Sequence, residues 1–164
     1  MSTLKVNNLT DLGADAVVTD GVVDSGALPA GSILQVLDTT ATSQVSTTSQ
    51  SYQASGLSVS ITPSASNSKI HLQYFVMPDT TSDGCHTTIF RDSTNLADRS
   101  YTSVATVLDL PGRNIQTIGS YFLDSPSTTS EITYTVQFRS DGGLTTMLRN
   151  ELSRGRLILM EVAG

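Results

Sequence analysis

The chain has 164 residues and a mass of 17.4 kDa, the size of one ordinary domain and enough to bury a core of its own. Charged residues are only 15%, the net charge is −6 and the pI is about 4.6, which excludes a nucleic-acid surface built on clustered Lys and Arg. A single cysteine, Cys85, excludes an intrachain disulfide framework, and no run approaches the roughly 20 apolar residues of a helical membrane span.

The composition is otherwise dominated by hydroxyls: 23 Ser and 23 Thr stand beside two Lys, three Glu and no Trp. Thr suits a pleated, half-solvated surface and Ser suits turns, so polarity without charge favours strands over helices. The expected class is all-β.

Residues 1–31 read as a separate N-terminal docking arm. LKVNNL and GVV are short extended pieces, DLGADAVV can form one helical turn, and Pro29 and Gly31 in ALPAG stop regular structure. Leu4, Val6, Leu9 and Leu12 are its apolar anchors, with a neighbouring subunit as the expected holder. MSTLKVNNL has no apolar signal core, so NLT at 8–10 is a chance glycosylation match and the chain is expected to be made as a cytosolic product that could leave the cell by lysis.

Residues 32–164 read as the head. Ten strand candidates follow at a spacing of about ten residues, the pattern of a sandwich or barrel: 32–38, 45–53, 57–62, 69–77, 87–92, 101–109, 115–124, 131–140, 144–150 and 156–163. TPSASNS, PDTTSDG, DSPSTTS and DGG supply turn chemistry between them. The period of two places Leu57, Val59 and Ile61, then Ile70, Leu72, Tyr74 and Val76, then Ile132, Tyr134, Val136 and Phe138 in the core. Ser58, Ser60, Lys69, His71, Gln73, Thr133, Thr135 and Gln137 face away.

The first and last head strands, ILQVL and LILMEV, are apolar on both faces. A strand buried on both sides of a two-layer sandwich needs cover from outside, so Ile33, Leu34, Val36, Leu37, Ile158, Met160 and Val162 are the expected subunit interface. The plainer alternative is a central strand with slack patterning.

Little enzyme chemistry is legible. PDTTSDG sets Asp79 and Asp83 near Gly84, but Thr81 and Phe90 stand where a calcium hand needs oxygen ligands, so it reads as a turn. Cys85 and His86 are adjacent and point to opposite faces of a strand, which leaves no tetrahedral zinc set; no metal or cofactor is expected. No G-x-S-x-G elbow occurs, and Glu131, Glu151 and Glu161 are the only glutamates for two-carboxylate glycosidase chemistry, so the chain is not expected to be an enzyme. Phe90, Arg91, Asp92, Asn95, Arg99 and Tyr101 lie close in sequence and offer an aromatic and polar surface for a glycan; a rim of Arg–Asp pairs is the plainer reading.

The sequences GSILQV, GLSVSITPSASNSKI, RDSTNL, YFLDSPSTTSEITYTVQF and LILMEVAG, with the opening MSTLKVNNL, resemble tail-fibre-like virion structural proteins of marine, cyanophage-type bacteriophages. The resemblance spans essentially the whole chain. It implies a virion component, a tail-fibre or spike module contributing to host attachment, with a homotrimeric, jelly-roll-like two-sheet β-sandwich similar to tumour-necrosis-factor-type heads. A capsid or tail decoration protein binding only other virion proteins is the alternative. This chain carries PDTTSDGCHT where that family has a glycine-rich loop, so a receptor role does not transfer to that position.

Overall fold

The computed structural model describes residues 8–10, 16–19, 22–23, 28–97, 105–107 and 111–164. Nearest the N-terminus, β1 (Asn8–Thr10), β2 (Ala16–Thr19) and β3 (Val22–Val23) form a small antiparallel sheet in that order. The helical turn expected at DLGADAVV is corrected over its second half: Ala16–Thr19 is strand, in keeping with two adjacent β-branched valines. Leu9 lies in β1, opposite Val18, whereas Leu4, Val6 and Leu12 lie outside the described residues.

Gly31, just before the first long strand, has a φ of 91°, which suits a residue without a Cβ. The head strands are β4 (Ile33–Ala41), β5 (Val45–Thr47), β6 (Gln53–Ile61), β7 (Lys69–Val76), β8 (Pro78–Thr81), β9 (Cys85–Arg91), β10 (Thr94–Asn95), β11 (Ala105–Val107), β12 (Arg113–Ile115), β13 (Ile118–Asp124), β14 (Ile132–Ser140), β15 (Thr146–Leu148) and β16 (Gly155–Val162). One short helix, α1 (Asn150–Ser153), interrupts them.

The first main sheet has the order β13-β7-β16-β4 and the second β10-β9-β14-β6, with β11 also paired to β9, all antiparallel. Number the main strands along the chain as β4, β6, β7, β9, β10 with β11, β13, β14 and β16. One sheet then holds the sixth, third, eighth and first, the other the fifth, fourth, seventh and second. That is jelly-roll connectivity, and the fold is an all-β sandwich of that type.

A third sheet, β12-β8-β15-β5, repeats the order of the first, because each of its strands is the sequence neighbour of the matching strand there. The two are one long four-stranded sheet interrupted at 42–44, at Met77, at 116–117 and at α1. Pro78 opens β8, where its missing N–H costs the ladder least.

The expected core is the observed one. Leu57, Ile61, Ile70, Leu72, Tyr74, Val76, Ile132, Tyr134, Val136 and Phe138 are buried together with Ile89, Leu157 and Leu159, and Val59 packs against them. Between the sheets, Tyr74 on β7 and Thr87 on β9 share a buried hydroxyl hydrogen bond of 2.7 Å, and burial holds the Tyr74 phenol well above its ordinary range.

Three strand expectations are corrected. The strand read over 45–53 ends at Thr47, because hydroxyls there satisfy the backbone locally: Thr47 Oγ1 accepts from the Ser49 N–H and Ser49 Oγ donates to the Ser51 carbonyl. PDTT, read as a turn, is strand β8. The strand read over 115–124 breaks at 116–117, where the Gln116 N–H reaches the Pro78 carbonyl instead of continuing the ladder.

Candidate functional site

The alternating pattern that fills the core also fixes what each sheet shows on its outside. On the β10-β9-β14-β6 sheet most outward residues are hydroxyls and amides, joined across the strands, with Phe90, His86 and Arg139 beside them. Ser60 and Thr133 hydroxyls lie 2.8 Å apart, Ser58 and Thr135 3.3 Å, and Thr88 Oγ1 donates to Asn95 Oδ1 at 2.6 Å. Toward one end Tyr52 meets Phe90 edge to face at 5.9 Å between centroids, and Arg139 stacks over the Tyr52 ring at 5.7 Å. Beside them His86 Nε2 is 2.9 Å from Asp141 Oδ1 and its Nδ1 is 3.1 Å from Thr106 Oγ1, which ties β11 to the turn after β14.

This arrangement splits the residues expected to meet a glycan. Phe90 and Asn95 share the outer face, while Arg91 turns inward and makes a two-pronged ion pair with Asp124 at 2.9 and 2.7 Å; Tyr134 donates its hydroxyl to the same carboxylate at 2.7 Å. Asp92, with φ 52°, sits in the turn and accepts the Thr133 N–H at 3.0 Å. Arg99 and Tyr101 lie outside the described residues. Tyr52 and Arg139 join Phe90 without having been singled out from sequence; the signal was hidden because residues 45–53 read as one strand.

The outer face of the β13-β7-β16-β4 sheet is different in kind. The register aligns Leu123, His71, Met160 and Val36 in one row and Tyr121, Gln73, Ile158 and Asp38 in the next. Gly119, Phe75, Arg156 and Thr40 follow on one side, and Lys69, Val162 and Ile33 on the other. Tyr121 is 76% exposed, Ile33 and Val36 56%, Leu123 54% and Phe75 41%. Ile158, Met160 and Val162 are half-buried beside them.

The interface expectation therefore lands on this face in part. Ile33, Val36, Ile158, Met160 and Val162 belong to it, Leu37 packs against the core from the inner side and Leu34 is half-buried. β4 and β16 are apolar on both faces, yet within one chain the outer side stays partly in water. Phe75, Tyr121 and Leu123 complete the face, and the three consecutive apolar residues YFL in β13, which put apolar groups on both sides of the strand, were the signal for two of them.

Gly119 shapes this surface. A Cβ there would lie 2.6 Å from the Phe75 ring and 2.8 Å from the Tyr74 carbonyl, so the glycine lets the ring lie flat across the neighbouring strand.

Buried carboxylates hold the sandwich from its ends. Asp79 is gripped by Arg113 at 2.9 and 2.5 Å and by Arg149 at 3.1 Å, and the Arg113 hydrogen bonds hold its carboxyl below the ordinary range. For Asp83 burial opposes ionisation, and donors from Ser140 Oγ at 2.5 Å and the Gly142, Gly84 and Leu144 N–H groups at 2.6, 2.7 and 2.9 Å more than offset it. Burial opposes the Glu161 charge too, and Gln35 Nε2 and the Ser64 N–H, both at 2.6 Å, outweigh it. Each carboxylate has its own set of donors, and the Asp79 and Asp83 of the faint calcium pattern belong to separate networks. Among the described residues no group of three or more His, Cys, Asp or Glu is placed to hold a metal. Burial also raises the Cys85 thiol to about 12, which keeps it protonated and unreactive.

No family model and no curated protein matches the chain. Among solved structures, the chain is similar to the 2.6 Å structure of infectious bursal virus-derived T=1 particles, at 16% identity and a TM-score of 0.40. The match covers 96% of this chain and 41% of that one, so the chain spans about two fifths of its length.

Proposed function

We propose that this chain is a virion structural protein, a tail-fibre or spike module that works as a homotrimer and contributes to host attachment. The observation that carries this reading is the difference between the two outer faces of one sandwich. One is dressed in uncharged hydroxyls that stay soluble and offer an edge-to-face aromatic pair with an arginine, the kind of surface that meets a sugar. The other is apolar and suited to packing inside an assembly. Jelly rolls serve many functions, so the fold by itself does not choose among them; the resemblance to tail-fibre-like proteins supports this one. The arm of residues 1–31 joins the head to other virion proteins, and the protein is made in the host cytoplasm and released by lysis.

The test uses particles of the virus that encodes the chain. The protein is expected in purified particles by mass spectrometry, and the isolated protein is expected to compete with particles for adsorption to host cells. Presence in particles without competition replaces the attachment role by that of a capsid or tail decoration protein. Absence from particles removes the virion reading.

A further inference from the structure

The apolar outer face of the β13-β7-β16-β4 sheet has the size and chemistry of a protein interface. Its five most exposed apolar side chains, Ile33, Val36, Phe75, Tyr121 and Leu123, leave on the order of 600 Å² in water, the upper end of what a monomer shows in one patch. With the half-buried Ile158, Met160, Val162, His71 and Gln73 between them, the face reaches the order of 800 Å² that each partner contributes to a stable pair.

Charge is arranged as interfaces arrange it. The two middle rows hold one carboxylate, Asp38, and Arg156 pairs with it at 2.8 Å. Lys69 lies at the margin of the face. The acidity of a chain with net charge −6 is therefore kept off this surface, and two such faces can meet without like-charge repulsion. Phe75 lying flat over Gly119 removes a ridge that would hold the faces apart.

The face also runs to the point where the arm enters the head. The Gly31 N–H donates to the Ala163 carbonyl at 2.7 Å and the Ala163 N–H to the Ser32 carbonyl at 2.9 Å, which fixes the start of β4 beside the last residues of β16. Ile33 and Val162 are opposite one another at that end of the apolar rows.

We infer that this sheet face is the surface through which copies of the chain pack against one another. The inference deepens the proposed oligomeric module and rests on it only for context. It names the contact surface, includes Phe75, Tyr121 and Leu123, and leaves the hydroxyl-covered sheet on the outside.

The test is the solution mass of the full chain by light scattering, for the native sequence, for Leu123→Asp and Val36→Asp singly and together, and for Ser58→Asp on the opposite sheet. The native chain and Ser58→Asp are expected at a multiple of 17.4 kDa. The double variant is expected at the mass of a single chain, with far-UV circular dichroism and melting temperature showing that it remains folded. A native chain of single-chain mass overturns the inference, as does a multimer that both face substitutions leave intact, which would assign the face to a different partner. A multimer that is broken by these substitutions but never found in particles keeps the inference and removes the virion reading, so the two fail separately.

Discussion

The two outer faces of the sandwich share the same antiparallel pairing, yet one is mostly Ser, Thr, Gln and Asn and the other mostly Ile, Val, Met, Leu and aromatic rings. On β14 the outward residues are Thr133, Thr135, Gln137 and Arg139; on β16 they are Arg156, Ile158, Met160 and Val162. The inward residues of both strands are buried. Each face is written by every second residue, so a chain can assign one side of a sheet to solvent and one to a partner without changing its core. The abundance of hydroxyls is explained by the first face and by the turns. A soluble surface of Thr and Ser also avoids the dense charge that would repel neighbouring copies.

The comparison holds only while the two sheets stay locked together, and the largest expected effect comes from unlocking them. Asp83→Ala leaves the buried donors of Ser140, Gly142, Gly84 and Leu144 without their acceptor, at a cost of about 3 kcal/mol or more. Thermal unfolding should show a loss of several degrees or more; an unchanged midpoint would mean that the Asp83 network is dispensable.

Acid should weaken this network and those of two other buried carboxylates. Asp79, Asp83 and Glu161 are all held below their ordinary range in the folded state. A depressed folded pKa means that the unfolded chain binds protons first, so their contribution is fully present above about pH 5 and is lost as pH falls below about 4 through the folded values. Urea midpoints measured between pH 7 and pH 3 should fall only in that acid window. In Asp83→Asn the remaining decline should be shallower.

A smaller effect sharpens the apolar side of the comparison. Gly119→Val forces the Phe75 ring off the neighbouring strand, since a Cβ cannot sit 2.6 Å from it, and should cost about 1–2 kcal/mol in the isolated chain. It should weaken self-association as well, because the lifted ring becomes a ridge. Gly119→Val combined with Phe75→Ala should regain association if flatness is what matters, and should not if the ring itself is the contact.

Much of this was legible in the sequence, and the gaps have physical causes. Alternation in SVSIT, KIHLQYFV and ITYTVQF identified the core strands because each has one wet and one dry face. ILQVL and LILMEV signalled apolar surface on both sides, and sequence located that surface without reaching Phe75, which stands between Tyr74 and Val76 and reads as part of a core run. Short strands such as Arg113–Ile115 and Thr146–Leu148 carry too few residues for a period to register. The networks of Asp79, Asp83 and Glu161 join residues distant along the chain, 97 positions apart for Ser64 and Glu161, and no local pattern announces them. Arg91 was grouped with Phe90 by proximity in sequence, but neighbours on a strand point to opposite faces, and its partner Asp124 lies 33 residues away.

The smallest expected change in stability belongs to the hydroxyl face, and it is the most direct way to erase the comparison. Ser58, Ser60, Thr133 and Thr135 form two cross-strand hydroxyl pairs open to water, where such bonds exchange with solvent and contribute little net free energy. Replacing all four by Val keeps the β-branched or small shape, raises strand propensity and should leave the urea midpoint within about 0.5 kcal/mol of the native value. Solubility should change far more than stability, because the sandwich would then carry an apolar patch on both sides and could add copies without closing. Light scattering against concentration should show open-ended growth for the fourfold Val variant and a fixed mass for the native chain. Combining it with Leu123→Asp and Val36→Asp should move self-association to the new face. A fourfold variant that keeps a fixed mass would mean that apolar character alone does not make an interface here, and that the flat packing of Phe75 over Gly119 and the Asp38–Arg156 pair give the native face its specificity.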